Sequence, residues 1–214
     1  MMAAEGLQLQ HAGGIRIPAT LGEVNDAFAK YGARVWPIDL SDVSGDQRRL
    51  LDQPRLSADE DARVREQFLL PRERLLELIA AAGREPRVPG GGEMSTLDST
   101  HGVRYPALYL VAPGIDYSRF DRLHVNRAAD GTGVDETLRM LSGSGIRIVQ
   151  RLPEVGDVTL FLHCPSPDRG WTVTYSGVHP HIASLTSASD GCKVLMQIIG
   201  PPIWTMDYVD AETR

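Results

Sequence analysis

The second half of the chain carries two histidines and a glutamate in a spacing that neighbouring β-strands could bring together. His124 lies in one apolar run, Glu136 begins the next, and His181 follows the turn at Ser176-Gly177. Two imidazoles and one carboxylate bind borderline divalent ions and leave open positions on Fe(II) for substrate and oxygen. The sequence therefore predicts a metal site formed by His124, Glu136 and His181. Fe(II) is the expected ion, and Ni, Mn and Zn stay open.

Three further residues are candidates for the same site. Asn126 shares the strand alternation of His124, so it should point the same way and act as a weak oxygen ligand or as a hydrogen-bond partner. His179 and His163 are alternatives to His181 for the last ligand position. His163 can equally be a strand-end residue that faces solvent. An interpretation without metal, in which the histidine and glutamate of these strands only hydrogen-bond each other, also stays open.

Other side chains of the same predicted strands are candidates for catalysis and substrate binding. A guanidinium group can hold a carboxylate through two parallel hydrogen bonds, and aromatic rings can line a pocket wall. Each type also has a plain structural interpretation, because strand arginines usually face solvent and strand aromatics usually pack in the core. We assign catalysis to Glu136, Tyr175 and His179, and substrate binding to Arg139, Trp171 and Arg122.

The spacing of these residues resembles the two halves of the cupin signature. In that signature a His-x-His pair is followed by Glu, six residues and Gly, and a second half runs from Gly through a Pro-x-Gly turn to the last His. Glu136 is followed by Gly143 after six intervening residues, and Gly170 precedes His181 by eleven positions. The resemblance implies a jelly-roll β-barrel that binds a metal. Asn126 departs from the pattern by standing in place of the second His.

Two stretches look like the acireductone dioxygenase branch of the cupins. Residues 28–37 are similar to its opening helix and strand. Residues 135–145, an acidic pair followed by an apolar strand and a Gly-x-Gly turn, are similar to its central motif. The resemblance implies Fe or Ni and the cleavage of a small enediol with oxygen. The family's arginine two positions after the glutamate is not reproduced, since Leu138 stands there and Arg139 follows.

Helix signals occur in the first part of the chain. Capping boxes at 20–23 and 57–60 predict helix starts, because a Ser or Thr side chain accepts from the first turn while a Glu side chain bonds back. Gly32 is placed to end the first helix. The predicted helices run from 21 to Gly32, from 57 to 69 and from 71 to 82.

Strand signals are sparse before residue 100 and frequent after it. A short strand is predicted at 15–17, and another at 33–39 that Pro37 halts because proline lacks an amide donor. A polar linker is predicted to follow. The later strands are short, rich in Val, Ile, Leu, Thr or Tyr, and separated by turn residues. They are 105–111, 121–126, 136–141, 145–152, 157–164, 171–175, 181–185 and 193–199.

These elements predict a mainly β, α+β fold: a cupin-type jelly-roll β-barrel preceded by a helical N-terminal extension. The breaker cluster at 87–92 marks the boundary. We therefore divide the chain into a helical extension, 1–92, and a barrel, 93–214. The two should form one structural unit, because short helices over roughly 85 residues make a thin core of their own.

Composition and charge narrow the range of partners and cellular locations to be expected. The net charge of −6 at pH 7 argues against nucleic acid as a partner, because phosphate binding needs a basic face. The chain has no apolar run near the roughly 20 residues of a membrane helix, and its first residues lack the pattern of a signal peptide. Two cysteines without close spacing favour a cytoplasmic location. A homodimer is expected as the commonest soluble assembly.

The predicted function is that of a metal-dependent cupin oxygenase, an oxidoreductase of the dioxygenase type. It would hold a small polar metabolite on the metal and use O2. Two alternatives stay open. The same metal can act as a Lewis acid in an isomerase, lyase or cyclase without O2. The barrel can also be a non-catalytic small-ligand-binding protein, which Asn126 in place of a histidine favours.

Overall fold

The strands of the described residues form two antiparallel β-sheets, and helices cover one of them. The computed structural model describes residues 6–53, 56–85, 92–98, 122–127, 129–131, 133–185, 192–199 and 205–209. The strands are β1 Leu7–His11, β2 Ile17–Pro18, β3 Arg34–Asp39, β4 Gly92–Asp98, β5 His124–Arg127, β6 Asp135–Ser142, β7 Ser144–Leu152, β8 Gly156–His163, β9 Arg169–Ser176, β10 His181–Leu185, β11 Lys193–Ile199 and β12 Thr205–Tyr208.

The larger sheet has seven strands in the order β12-β5-β10-β7-β8-β1-β2, and the smaller has five in the order β3-β9-β6-β11-β4. Strands from the beginning of the chain enter both sheets, since β1 pairs with β8 and β3 pairs with β9. The architecture is therefore α+β with mostly antiparallel strands. This confirms the α+β, mainly β part of the predicted fold class.

Four α-helices lie among the described residues before β4: α1 Leu21–Phe28, α2 Gly45–Asp52, α3 Ala58–Phe68 and α4 Arg72–Ala81. The first three begin with a capping box, in which a Ser or Thr side chain accepts from the third helical residue and a Glu or Gln side chain bonds back. Gly32 follows α1 and a short 3-10 turn with φ 70, a left-handed conformation that glycine adopts without strain.

The main core lies between the two sheets. Leu138 of β6 belongs to the same buried cluster as Ile148 of β7 and Leu160 of β8, and Phe28 of α1 joins it. Full burial of one such side chain contributes roughly 1.5–3 kcal/mol. Alternation along β6 directs Leu138 and Glu136 to the same face, toward this core.

The other face of the five-stranded sheet is covered by helices. Leu51 of α2 and Phe68 of α3 pack against Leu141 of β6 and Leu195 of β11. All residues of β6 except the last are buried. Strand β6 is thus enclosed on both faces, which holds Glu136 in a rigid layer.

Two predictions about these elements are wrong. Strand β3 continues through Pro37, because it lies at the edge of its sheet, where proline leaves no ladder bond unmade. The predicted polar linker contains α2, whose capping box joins Ser44 and Gln47. The predicted strand at 105–111 lies outside the described residues, and the division of the chain at residue 92 stays a prediction. Within the described ranges, no helix has the length and apolar character needed to cross a membrane.

Candidate metal centre

Four buried polar side chains from both sheets meet at one point. Strands β5 and β10 pair so that His124 lies beside His181, and alternation along β5 puts Asn126 on the same face as His124. Glu136 comes from β6 of the other sheet. The exposed fractions of His124, Asn126, Glu136 and His181 are 1%, 0%, 2% and 1%. The structure thus brings the three predicted ligands and Asn126 together.

Backbone carbonyls hold both imidazole rings. Nδ1 of His124 lies 2.8 Å from the carbonyl oxygen of Arg122, and Nδ1 of His181 lies 2.8 Å from that of His179. A carbonyl oxygen only accepts, so Nδ1 carries a proton and donates in both rings. In a neutral ring this leaves the lone pair on Nε2, as in metal-bound histidines whose other nitrogen is held by a hydrogen bond.

Oε1 of Glu136 is the acceptor that the cluster shares. Nε2 of His181 lies 2.9 Å from it, and Nδ2 of Asn126 donates to it over 2.5 Å. The same Nδ2 lies 3.5 Å from Nε2 of His181. The rings of His124 and His181 stand edge to face, with centroids 4.5 Å apart.

Charge is unevenly divided within this cluster. Burial opposes ionisation of Glu136, yet the nearby His181 holds the pKa of that carboxyl below its ordinary value. Burial also opposes protonation of His181, but attraction to Glu136 raises its pKa. Burial, followed by repulsion from His181, lowers the pKa of His124 to about 3. At neutral pH, His124 is therefore uncharged, while His181 and Glu136 hold a proton between them.

The donor set fits a divalent ion. Neighbouring ligands of an octahedral ion lie about 3 Å apart when each bond is about 2.1 Å, and Nε2 of His181 is 2.9 Å from Oε1 of Glu136. Oδ1 of Asn126 is buried and accepts no hydrogen bond in the described part of the chain. As the side chains stand, the described residues contain no group of three His, Cys, Asp or Glu donors arranged around an ion. An ion bound here would take the place of the hydrogen bond between Nε2 of His181 and Oε1 of Glu136.

Two predicted catalytic residues lie next to this cluster. Tyr175 is opposite Glu136 in the register of β6 and β9, and its ring centroid is 5.2 Å from that of His181. His179 contributes its carbonyl to His181, while its half-buried ring lies edge-on to Tyr31 at 5.8 Å. His179 therefore positions the ring of His181 through the backbone.

The backbone of Arg122 also lies next to this cluster. Its carbonyl oxygen holds His124, and its guanidinium carbon lies 5.3 Å from the centroid of the Tyr208 ring. Tyr208 in turn faces His124 in the register of β5 and β12, with ring centroids 6.3 Å apart. The predicted substrate residue Arg122 thus borders the cluster, together with a tyrosine that the sequence interpretation misses.

Three other candidates lie away from the cluster. Arg139 is on the opposite face of β6 from Glu136, and its Nη1 donates to the carbonyl oxygen of Phe68. Trp171 shares the face of Tyr175 at the other end of β9, where its Nε1 donates to the carbonyl of His163 over 2.8 Å. The structure therefore does not bring Arg139, Trp171 and His163 together with Glu136, and the roles assigned to them stay predictions.

Gln150 of β7 is a second neighbour that the sequence interpretation misses. It lies opposite His181 in the register of β7 and β10, and it is 2% exposed. Its Oε1 has no hydrogen-bond partner among the described residues. The sequence does contain a signal for this residue. Positions 146, 148 and 150 form one face of a strand, and Gln150 is the polar residue on that otherwise apolar face.

A glycine allows the turn after β9 to approach β5. A Cβ at Gly177 would lie 2.9 Å from Cβ of Asn126, closer than side chains tolerate. The backbone N–H of Asn126 donates to the carbonyl of Gly177 over 2.8 Å. The Ser176-Gly177 turn of the sequence motif therefore sets the position of Asn126.

Comparison with known proteins identifies the fold. No family model and no curated protein matches this sequence. Among solved structures, the acireductone dioxygenase from Bacillus anthracis with a cadmium ion in its active centre is similar, with a TM-score of 0.61 and 15% sequence identity. The match covers 96% of this chain and 100% of that one. The chain therefore has a cupin-like fold, and the predicted resemblance to acireductone dioxygenases is confirmed at the level of structure.

Proposed function

We propose that this chain is a metal-dependent dioxygenase in which His124, Glu136 and His181 hold a divalent ion, with Fe(II) as the expected ion. The observation that carries the proposal is the meeting of two imidazoles, each with Nδ1 bonded to a carbonyl, and a buried carboxylate. Burying such polar groups is costly, and clusters with perturbed pKa values are typical of functional sites. Similarity in fold to a dioxygenase with cadmium in its active centre supports the same function.

The proposal includes closure of the two sheets into a jelly-roll barrel around these residues. The substrate would be a small polar metabolite able to chelate an ion through two oxygens. The bound ion would supply positive charge to hold that metabolite and open positions for O2. The chain supplies a site closed to water, since the side chains of this cluster are almost fully buried.

Other residues of the chain then orient the ligands and the substrate. The carbonyls of Arg122 and His179 orient the two imidazoles. Asn126 restrains the Glu136 carboxylate through Nδ2. Tyr175, buried beside His181, is assigned to orienting the substrate or moving a proton through its hydroxyl.

A non-catalytic ligand-binding protein is the second candidate. The hydrogen bond from Asn126 to Glu136 favours it, because that bond occupies a carboxylate oxygen that an ion would use. In that case the cluster would bind a small polar ligand directly, without metal.

The test is the metal content of protein purified without a metal-binding tag, measured by elemental mass spectrometry before and after anaerobic loading with Fe(II). Near-stoichiometric iron is expected, followed by O2 uptake in a screen of enediol, hydroxy-acid and keto-acid substrates. Metal binding with turnover but no O2 uptake would replace the dioxygenase with a Lewis-acid enzyme.

Two variants make the test specific to the site. Glu136→Ala removes a proposed ligand and should lose the ion. Glu73 is an exposed residue of α4, so Glu73→Ala removes a carboxylate far from the proposed site. This variant should keep the ion. Failure of the unaltered protein to retain any ion after loading would reject the metal site and leave the binding protein.

A further inference from the structure

A cavity lies on the other side of the five-stranded sheet from the metal cluster. It has a volume of about 580 Å³ and is bounded by β3, by the neighbouring strands β6 and β9, and by α4. Cavities of roughly 300–1,000 Å³ are the usual size for small-molecule sites. The cavity is therefore large enough for a metabolite.

A buried cation lies in its wall. Arg139 is 9% exposed and lines the cavity. Its Nη1 donates to the carbonyl of Phe68 at the end of α3, but its Nε is buried and has no hydrogen-bond partner among the described residues. Burial lowers the pKa of Arg139 to about 10. No acidic side chain in the described ranges forms an ion pair with this guanidinium, and such charges are costly to bury without a counter-ion.

The other charged groups that line the cavity already have partners. Arg74 forms an ion pair with Glu77 one turn along α4. The carboxylate of Asp39 accepts from the backbone N–H of Ser41 over 2.9 Å. Asp39, Arg74 and Glu77 are exposed to solvent, whereas Arg139 is the buried charged group of this lining and has no ion-pair partner among the described residues. A carboxylate placed against Arg139 would supply that partner.

The rest of the wall is apolar on two sides. Trp36, Pro37 and Ile38 of β3 form one side, and Leu70 and Leu78 form the other. Such walls favour a flat or branched hydrocarbon body, and a guanidinium group favours a carboxylate, which it can bind through two parallel hydrogen bonds.

We propose that this cavity binds a small monocarboxylate with an aromatic or branched apolar body, whose carboxylate contacts Arg139 and whose body packs against Trp36. The hydrogen bond from Nη1 to Phe68 gives Arg139 a structural role at the end of α3, but it accounts neither for the unpartnered Nε nor for the cavity beside it. The site is separate from the metal cluster, because Arg139 and Glu136 lie on opposite faces of β6.

Isothermal titration of the full chain with phenylacetate tests the site, with phenylacetamide as its neutral counterpart. Phenylacetate should bind saturably, and both phenylacetamide binding and phenylacetate binding to Arg139→Met should be at least about tenfold weaker, since a charge-assisted hydrogen bond is lost. Arg49→Met removes an exposed guanidinium on α2 and should leave binding unchanged. Equal affinity for acid and amide, or no saturable binding of the acid, would overturn the proposal.

Two more variants keep the test decisive if Arg139→Met unfolds. Ala81→Trp places a large ring at an exposed lining position of α4 while Arg139 remains, and it should abolish phenylacetate binding. Glu136→Ala alters the metal cluster and should not change it. Undiminished binding in Ala81→Trp, or loss of binding in folded Glu136→Ala, would locate the ligand elsewhere and reject this site.

Discussion

Nδ2 of Asn126 donates to Oε1 of Glu136 over 2.5 Å, at the position where the cupin signature has a histidine. The amide therefore engages the carboxylate directly, while its own Oδ1 is buried without a partner in the described structure. An amide oxygen suits hard ions, whereas imidazole suits Fe, Ni and Zn. The identity of residue 126 should therefore control how tightly the cluster binds such ions.

Asn126→His should strengthen metal binding by about tenfold to a hundredfold, because it adds an imidazole donor and releases Glu136 from the amide. Anaerobic competition against a fluorescent chelator measures the change. Gln10→His on β1 adds a histidine far from the cluster and should leave affinity unchanged. An equal gain in both variants would mean that the new histidines bind ions at the surface, and the role given to residue 126 would be wrong.

The spacing of the cupin signature brought His124, Glu136 and His181 together as candidates, and alternation added Asn126, but the sequence could not settle which side chains of β6 face inward. Polar positions that alternate with apolar ones identify an inward face only when the other face meets solvent. Helices cover the outer face of β6, so Glu136 and Arg139 are both buried, on opposite sides. This is why the sequence analysis assigns Arg139 to the same site as Glu136, although the two side chains lie on opposite faces of β6.

Local signals and distant pairings also differed in how well they could be predicted. The boxes at Thr20 and Ser57 predicted the starts of α1 and α3, because capping depends on residues three positions apart. Strands β1 and β12 were missed, because each exists only through pairing with a strand far away in sequence. The contact between His124 and His181 also joins strands far apart in sequence, and it was expected only through the resemblance to the cupin signature.

Gly143 should tolerate alanine less well than Gly83. Both have positive φ, 84 and 81, so alanine strains the backbone at each by about 1–2 kcal/mol. At Gly143 a Cβ would also lie 2.6 Å from Cα of Cys192, whereas nothing lies within 4 Å at Gly83. Gly143→Ala should lose a further 1–3 kcal/mol, roughly, through overpacking. Urea unfolding followed by circular dichroism gives both values, and equal losses would contradict the close approach of this turn to Cys192.

Cys164 should be unreactive in the folded chain. Burial raises the pKa of its thiol from 9.0 to about 12, so almost no thiolate is present at pH 8. A chromogenic disulfide reagent should label neither Cys164 nor the buried Cys192 until guanidinium unfolds the protein. Rapid labelling of one thiol in the native protein would contradict the raised pKa of Cys164 or the burial of Cys192.

The same raised pKa predicts a loss of stability in alkali. Above pH 9.0 the thiol of Cys164 ionises in the unfolded chain and stays protonated in the folded one, so its contribution to stability falls until about pH 12. Cys164→Ala should show a shallower decline over that window in urea unfolding. Parallel declines for the two proteins would mean that other groups govern alkaline stability.

Arg84 should be essential for holding the backbone at Glu136. Its Nε donates to Asp135 over 2.7 Å and its Nη2 to the hydroxyl of Thr174 over 2.8 Å, while that hydroxyl donates to the carbonyl of Glu136 over 2.9 Å. The side chains of Arg84 and Asp135 are 12% and 6% exposed. Arg84→Met removes the guanidinium paired with this buried carboxylate and should cost about 3–5 kcal/mol of unfolding free energy.

A second substitution distinguishes the effect of the ion pair between Arg84 and Asp135 from that of the hydrogen bond between Arg84 and Thr174. Arg84→Met combined with Asp135→Asn removes both charges, so most of the lost unfolding free energy should return, while metal affinity stays reduced because Thr174 is no longer held. Arg49→Met breaks an exposed pair with Asp46 at 3.7 Å and should change stability by less than about 0.5 kcal/mol. If the double variant recovers metal affinity together with stability, Arg84 acts only through charge, and its role in positioning Glu136 is excluded.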